Sequence, residues 1–396
     1  MSAVAPRDAR ETIAVPRAAG FALPFDLTLA LAAIGLGVCS VITVGKATAT
    51  DTADPHFYVK RQLIYLVVGG VAAAVLWRLD YSRLRELKYA TYGALILSVL
   101  AVMVLGSDAK GARRAIDFPG FSFQASELGK VLLVVSLSAF MVDASRRLAD
   151  SRMTARIMGL TLVPAALVML QPDLGTALVF VVVGLATLFV AGAPWHHFAA
   201  LFALLVVAIV MALAVLPAAG VNVLHGYQKD RLTSFLHPKE SSSTEAYQQT
   251  QSRIAIGSGE KTGRGNRATQ QKFKFLPENH TDFIFAVIGE RWGFAGAALV
   301  LTLYALLIWR GLRILTISKN LYGALVAGGI VTMLVFQIFV NVGMTVGIMP
   351  ITGIPLPLMS YGGSSLIATL LAVGLLQSIY SQGRAASKAT GRVLTF

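Results

Sequence analysis

Long uninterrupted apolar runs, rather than amphipathic stripes, organise this chain. Leu27–Gly45 opens the series, nineteen residues without a charge between Asp26 and Lys46. Gln62–Trp77, Tyr89–Gly106, Ser126–Val142, Ile157–Gln171, Leu174–Pro194 and Phe198–Leu216 follow. After a polar interval come Trp292–Ile308, Leu321–Met349 and Tyr361–Gly383. A spanning helix needs about 20 mostly apolar residues, because in lipid each backbone group must find its partner inside the helix. The pattern predicts an all-α membrane protein of about ten transmembrane helices. The second and fifth runs are short and are expected to extend into their flanks.

Composition agrees. Of the 396 residues 56% are hydrophobic and only 14% charged, well below the charge of a soluble domain. The single cysteine, Cys39, excludes an intrachain disulfide framework and a cysteine-built metal site. A formal charge of +14 would suggest nucleic acid in a soluble chain; between apolar runs it reads as loop charge that sets orientation, and no nucleic-acid partner is expected. Arg78, Arg83, Arg85 and Lys88 fall on one side, as do Arg146, Arg147, Arg152 and Arg156, then Arg310, Arg313 and Lys319, then the tail. The positive-inside bias therefore places both termini in the cytoplasm. Residues 1–24 form a cytoplasmic arm, 25–383 the membrane domain, and 384–396 a cytoplasmic tail.

One connection differs from the rest. Residues 218–281, between the seventh and eighth spans, make a large extracytoplasmic loop of 64 residues with nine Lys/Arg and five Asp/Glu. A loop of that length is either functional or disordered. Glu240–Ser243 reads as disordered, Tyr247–Arg253 as a short surface helix, and the glycine-punctuated part from Gly257 as something other than linker. Two similar phrases, Gln124-Ala-Ser-Glu-Leu-Gly and Gln171-Pro-Asp-Leu-Gly, each open a span from the outer side and hint at a shared role.

Charge within a membrane is costly, so ionisable residues there mark candidate sites. They gather at the outer ends: Arg113 and Arg114 in the third loop, Glu127 and Lys130 at i,i+3 on the fourth span, Asp173, then Asp282 and Glu290. An outward-facing site has no cytoplasmic nucleotide, so its substrate must arrive activated, and a polyprenyl-pyrophosphate-linked sugar is one such substrate. Cations hold a pyrophosphate by charge-assisted hydrogen bonds, and one carboxylate acts as general base on a sugar hydroxyl. Pyrophosphate leaves without the second, protonating carboxyl that glycoside hydrolysis needs. A magnesium or manganese ion at the pyrophosphate is compatible with this chemistry, although the sequence shows no diagnostic ligand cluster.

At Phe123-Gln-Ala-Ser-Glu-Leu-Gly-Lys130, Gln171-Pro-Asp-Leu-Gly-Thr-Ala177, Ala255-Ile-Gly-Ser-Gly-Glu260 and, above all, Phe275-Leu-Pro-Glu-Asn-His-Thr-Asp-Phe-Ile-Phe-Ala-Val-Ile-Gly-Glu290, the chain resembles the SEDS family (shape, elongation, division and sporulation). Asn341-Val-Gly-Met, Gly347-Ile-Met-Pro350 and Gly353-Ile-Pro-Leu-Pro-Leu-Met-Ser-Tyr-Gly-Gly-Ser-Ser365 extend the likeness, the last worded like the family's rod-shape branch. The resemblance implies a peptidoglycan glycosyltransferase in the bacterial cytoplasmic membrane that polymerises lipid II, with a polyprenyl-linked strand as donor. It implies a class B penicillin-binding protein as partner, alongside other membrane proteins of the cell-elongation complex. It makes Asp282 the candidate general base. Lys130, Glu127, Arg114, Arg113, Gln124, Ser126, Glu278, His280, Thr281, Ser360 and Ser364 are then the expected substrate-binding set. Ala125, Ala115, Arg264 and Arg291 depart from the family's usual Pro, Trp, Lys and Glu.

Plainer readings stand beside these. Asp282 and Asp173 either cap helices or meet substrate. Glu127 and Lys130 form a structural ion pair whether or not they touch substrate. Glu290 is more in keeping with a structural role, and Pro350, Pro355 and Pro357 with a re-entrant turn. A lipid II flippase and a non-catalytic scaffold for the penicillin-binding protein are the rival functions. A flippase would carry polar residues along the whole path, and the inner halves of these spans are largely apolar.

Overall fold

The computed structural model describes residues 24–48, 54, 56–109, 112–118, 121–211, 215, 217, 244–269, 275–276 and 278–389. The amino-terminal arm to residue 23, the Glu240–Ser243 stretch and the tail from residue 390 lie outside the described residues. The helices are α1 (Leu27–Ala47), α2 (Phe57–Arg78), α3 (Lys88–Leu105), α4 (Ala125–Ala144), α5 (Ser151–Leu170), α6 (Leu174–Val190), α7 (Trp195–Val210), α8 (Thr244–Ser258), α9 (Ile284–Ile317), α10 (Leu321–Val346) and α11 (Gly363–Ala389). Among the described residues, eight helices are long and apolar enough to span a membrane, and α6 and α7 are shorter apolar helices. The chain is an all-α multipass membrane protein. The second and fifth helices do extend into their flanks, to Phe57 and Ser151.

Burial is uneven. Helices α4, α10 and α11 are largely enclosed by the rest of the protein, whereas α2 and α3 turn most of their surface outward. Leu133, Leu137, Leu325, Leu334, Leu366 and Leu376 anchor this centre. At one end Asp26, the N-cap of α1, is bound by Arg310 at 2.8 Å through Nε, and its backbone exchanges two hydrogen bonds with Gln377. Helices α1, α9 and α11 are thereby fastened together.

Three features depart from a simple bundle. The third loop folds as a small antiparallel sheet, β1 (Ser107–Ala109), β2 (Ala112–Phe118) and β3 (Phe121–Phe123), in that order. Helix α9 is two helices meeting at Gly293, whose φ of 61° and ψ of −155° only glycine tolerates. The eighth apolar run therefore begins earlier than its hydropathy suggests, with a buried segment ahead of the break. The glycine-punctuated loop seals that break. The carbonyls of Glu260 and Lys261 accept the Phe294 and Ala295 amides at 2.9 and 3.1 Å, and the Arg264 amide reaches the Glu290 carbonyl at 2.9 Å. These are the groups that a helix terminus leaves without partners. A Cβ at Gly259 would stand 1.8 Å from the Gly289 carbonyl oxygen, so the approach requires glycine.

The third departure is residues 347–362, an irregular segment between α10 and α11 with positive φ at Gly347, Gly353 and Leu358. Ile354, Leu356, Leu358 and Met359 are buried in it. Irregular backbone survives inside a membrane protein only when its polar groups are paired. Ser40 donates to the Met359 carbonyl at 2.7 Å, Asn341 to Ile354 at 2.8 Å, Tyr304 to Pro357 at 2.5 Å and Gln62 to Ser360 at 3.3 Å. The expected surface helix is longer than Tyr247–Arg253 and partly sunk. Gln249 and Ser252 of α8 donate to Met349 and Thr345 at 2.8 Å each, which caps the end of α10.

Candidate active site

Glu127 lies in the first turn of α4, where the helix dipole favours an anion, and Lys130 follows on the same face. Their side chains are 2.7 Å apart and each is 3% exposed, an ion pair that offsets the desolvation of both charges. Asp173 is the N-cap of α6. Its Oδ1 accepts the Thr176 amide at 3.0 Å, and its Oδ2 lies 3.4 Å from both Gln124 Nε2 and Ser126 Oγ. The two similar phrases of the sequence therefore meet side by side, with Asp173 as their junction.

Asp282 enters from the end of the long loop. The helix that follows is capped at Phe283 with no side-chain bond, so Asp282 is not the cap that the plainer reading allowed. Behind it Phe283 and Ala286 pack with Ala255, Leu276, Met344 and Ile351, so the long loop and α10 brace this turn. Thr281 donates to Glu278 Oε2 at 2.9 Å, and the His280 ring packs on Tyr58 with centroids 4.9 Å apart. Glu290 is fully buried and accepts the Thr269 amide at 2.7 Å, holding the glycine loop in place.

Asp282, Thr281, His280, Glu127, Gln124 and Ser364 line one half-open cavity of about 530 Å³. The cavity also contains Arg61 and Tyr361, which sequence reasoning left out. Arg61 stands in the first turns of α2, its guanidinium 4.2 Å from the Phe57 ring centroid, and shares the cavity lining with Tyr361. Only its position beside the mouth of an apolar run marked it.

Ser126, Lys130, Arg114 and Ser360 do not line the cavity, and Ser364, which does, has its hydroxyl bonded to backbone. Lys130 is buried against Glu127. Ser360 donates to the Thr281 carbonyl at 2.6 Å, and Ser364 to the Ser122 carbonyl at 2.8 Å while receiving the Gln124 amide at 2.9 Å. Arg114 donates to the Gln171 and Pro172 carbonyls at 3.2 and 2.5 Å, closing the turn between α5 and α6. Arg113 lies on β2, and its side chain is outside the described residues. Among the described residues, no group of three or more His, Cys, Asp or Glu converges to hold a metal ion.

A many-helix membrane protein with a carboxylate, an arginine and aromatic rings around one polar cavity is the class that fold and site define. Residues 23–385 match the family described as cell cycle protein, FtsW/RodA/SpoVE. A probable peptidoglycan glycosyltransferase FtsW of Geobacter metallireducens is 36% identical, covering 90% of this chain and 94% of its own. Peptidoglycan glycosyltransferase MrdB of Escherichia coli K12 is 34% identical, covering 92% and 95%. A solved chain described under "Structural coordination of polymerization and crosslinking by a peptidoglycan synthase complex" superposes with a TM-score of 0.77 at 32% identity, covering 91% of this chain and 99% of that one. The chain belongs to the SEDS family of FtsW, RodA and SpoVE proteins.

Proposed function

We propose that this protein is a peptidoglycan glycosyltransferase that polymerises lipid II into β-1,4-linked glycan on the outer face of the bacterial cytoplasmic membrane, serving cell elongation. The observation that carries the reading is the cavity in which Asp282 and Arg61 lie together beside Glu127. Family membership and the names of the relatives support the activity. Loop charge supports the orientation, although Arg310, paired with Asp26, contributes less to that bias than an exposed arginine would.

The reaction follows from the residues. Arg61 offers a planar fork to the donor's pyrophosphate, and the rings of Tyr58 and Tyr361 provide apolar faces for sugar. Asp282 takes the proton from the 4-hydroxyl of the acceptor N-acetylglucosamine as that oxygen attacks the donor's anomeric carbon. The bond from that carbon to the pyrophosphate oxygen breaks, the configuration inverts, and polyprenyl pyrophosphate departs with the electron pair. Glu127, neutralised by Lys130, shapes the cavity floor without adding net charge. A magnesium or manganese ion at the pyrophosphate would take most of its oxygens from the substrate and water, since among the described residues no three His, Cys, Asp or Glu converge to hold it.

The similarity to a chain solved in a complex that coordinates polymerisation and crosslinking supports a penicillin-binding protein as partner, which on our reading is of class B. Beyond Lys130, α4 runs from Val131 to Met141 with no ionisable group and only Ser136 and Ser138 as polar side chains, a composition that suits one-sided chemistry better than a flippase path. The test is polymerisation of purified lipid II by this protein with its partner, the partner's crosslinking activity inactivated. Long glycan strands are expected. A folded, partner-bound protein that makes none would overturn the assignment in favour of lipid II transport.

A further inference from the structure

Helix α9 begins at Ile284, and the carbonyl of Phe283 takes the Ala286 and Val287 amides. The three carbonyls just ahead of it are each gripped from another part of the chain. The Tyr361 amide donates to His280 at 2.9 Å, the Ser360 hydroxyl to Thr281 at 2.6 Å, and the Asn341 amide nitrogen to Asp282 at 2.9 Å. Asn341 is fully buried on α10, and its second N–H goes to the Ile354 carbonyl at 2.8 Å. Ser360 in turn accepts the Leu356 amide at 2.8 Å. One primary amide and one hydroxyl thus tie the turn that carries Asp282 to the irregular segment 347–362. Gly353, on that same segment, brings its backbone close to the carboxylate: a Cβ there would stand 3.6 Å from Asp282 Oδ2.

Chemistry explains the residue types. Only a primary amide, as in Asn or Gln, offers two N–H groups to two carbonyls while remaining uncharged. Asp at 341 would set a carboxylate against both acceptors, and Leu would leave both unpaired. The Asn341 Oδ1 has no hydrogen-bond partner despite its burial, a cost that the two donated bonds offset. Ser360 both donates and accepts, which a hydroxyl alone does at that size. Neither side chain lines the cavity, so both act through the backbone they hold.

We propose that Asn341 and Ser360 are positioning residues that set the placement of the Asp282 carboxylate by clamping its backbone turn to segment 347–362. The proposal rests on the polymerase reading, and the clamp is the part of the site that fixes the backbone carrying the base. A misplacement of about 1 Å in a reacting group costs on the order of 100-fold in rate.

The experiment compares wild type, Asn341→Leu, Ser360→Ala, Ser360→Thr and Asp282→Asn, each purified in complex with the class B partner. Lipid II polymerisation is measured against substrate concentration and pH, and amide hydrogen exchange is followed across residues 280–284. Asn341→Leu and Ser360→Ala are expected to lower kcat roughly 10- to 100-fold with KM nearly unchanged. They should also displace the acidic limb of the pH profile and speed exchange in that turn, whereas Ser360→Thr, which keeps the donor, restores the rate. Wild-type kcat and pH profile in both variants would overturn the proposal, as would a loss confined to KM or unchanged exchange. If Asn341→Leu does not fold, Ser360→Ala carries the same readouts. A wild type without strands defeats the polymerase reading itself, a result distinct from an active wild type matched by its variants.

Discussion

Glu127 and Lys130 lie 2.7 Å apart at 3% exposure, and at that depth removing one partner leaves the other charge desolvated without its ion pair. Lys130→Ala is expected to cost about 3–5 kcal/mol, read as a lower Tm in detergent, while Glu127→Gln with Lys130→Met recovers most of that stability without activity. An unchanged Tm in Lys130→Ala would mean that the pair is solvated. Arg61→Ala is expected to raise KM for lipid II about 10-fold or more, as befits a lost charge-assisted bond, with a smaller effect on kcat. Steady-state kinetics would decide this, and an effect confined to kcat would remove Arg61 from ground-state binding. Glu127 and Lys130 stood out because a charge amid apolar residues has few explanations, whereas Asp282, at the end of a polar loop, stood out through its resemblance to the family motif. Arg61 was not, since a basic residue at the mouth of a span is ordinary. Nothing linear shows that Tyr361 will meet it. Ser360, Ser364 and Arg114 carry the converse lesson: their polar groups are bonded to backbone carbonyls, and sequence cannot say where a donor is used.

Among the described residues, hydropathy located each of the ten apolar helices, since the bilayer imposes a length and a polarity that the sequence must obey. It placed the start of α9 too late, because a break at one glycine is local geometry. Ala at 293 meets a backbone region closed to it, and its Cβ would fall 2.5 Å from the Gly263 nitrogen. Gly293→Ala is expected to cost at least about 1–3 kcal/mol and to expose the 257–269 loop to proteases. Limited proteolysis with a Tm measurement checks it, and a variant as resistant as wild type would show that the loop does not seal the break. The sheet β1–β3 escaped the sequence reading for a related reason: strands of three and seven residues carry too little period-two pattern.

At the scale of the whole molecule, chemistry on a lipid-linked substrate outside the cell requires that the cavity and the glycine loop face outward and the Arg-rich turns inward. With Cys39→Ala removing the single native thiol, a cysteine at exposed Lys261 should react with a membrane-impermeant maleimide in intact cells. One at exposed Arg83 should react only after lysis. The reverse pattern would put the cavity in the cytoplasm and end the lipid-linked substrate argument.

The central claim is that Asp282 is the base of a polymerase, and the most direct measurement is glycan strand formation by Asp282→Asn beside wild type in the same partner complex. Asparagine keeps the shape and removes the proton acceptor, so strand synthesis should fall by about 100-fold or more, with the complex intact and lipid II still bound. Strands of equal length and yield from both proteins would contradict the account and require the base to lie elsewhere in the cavity.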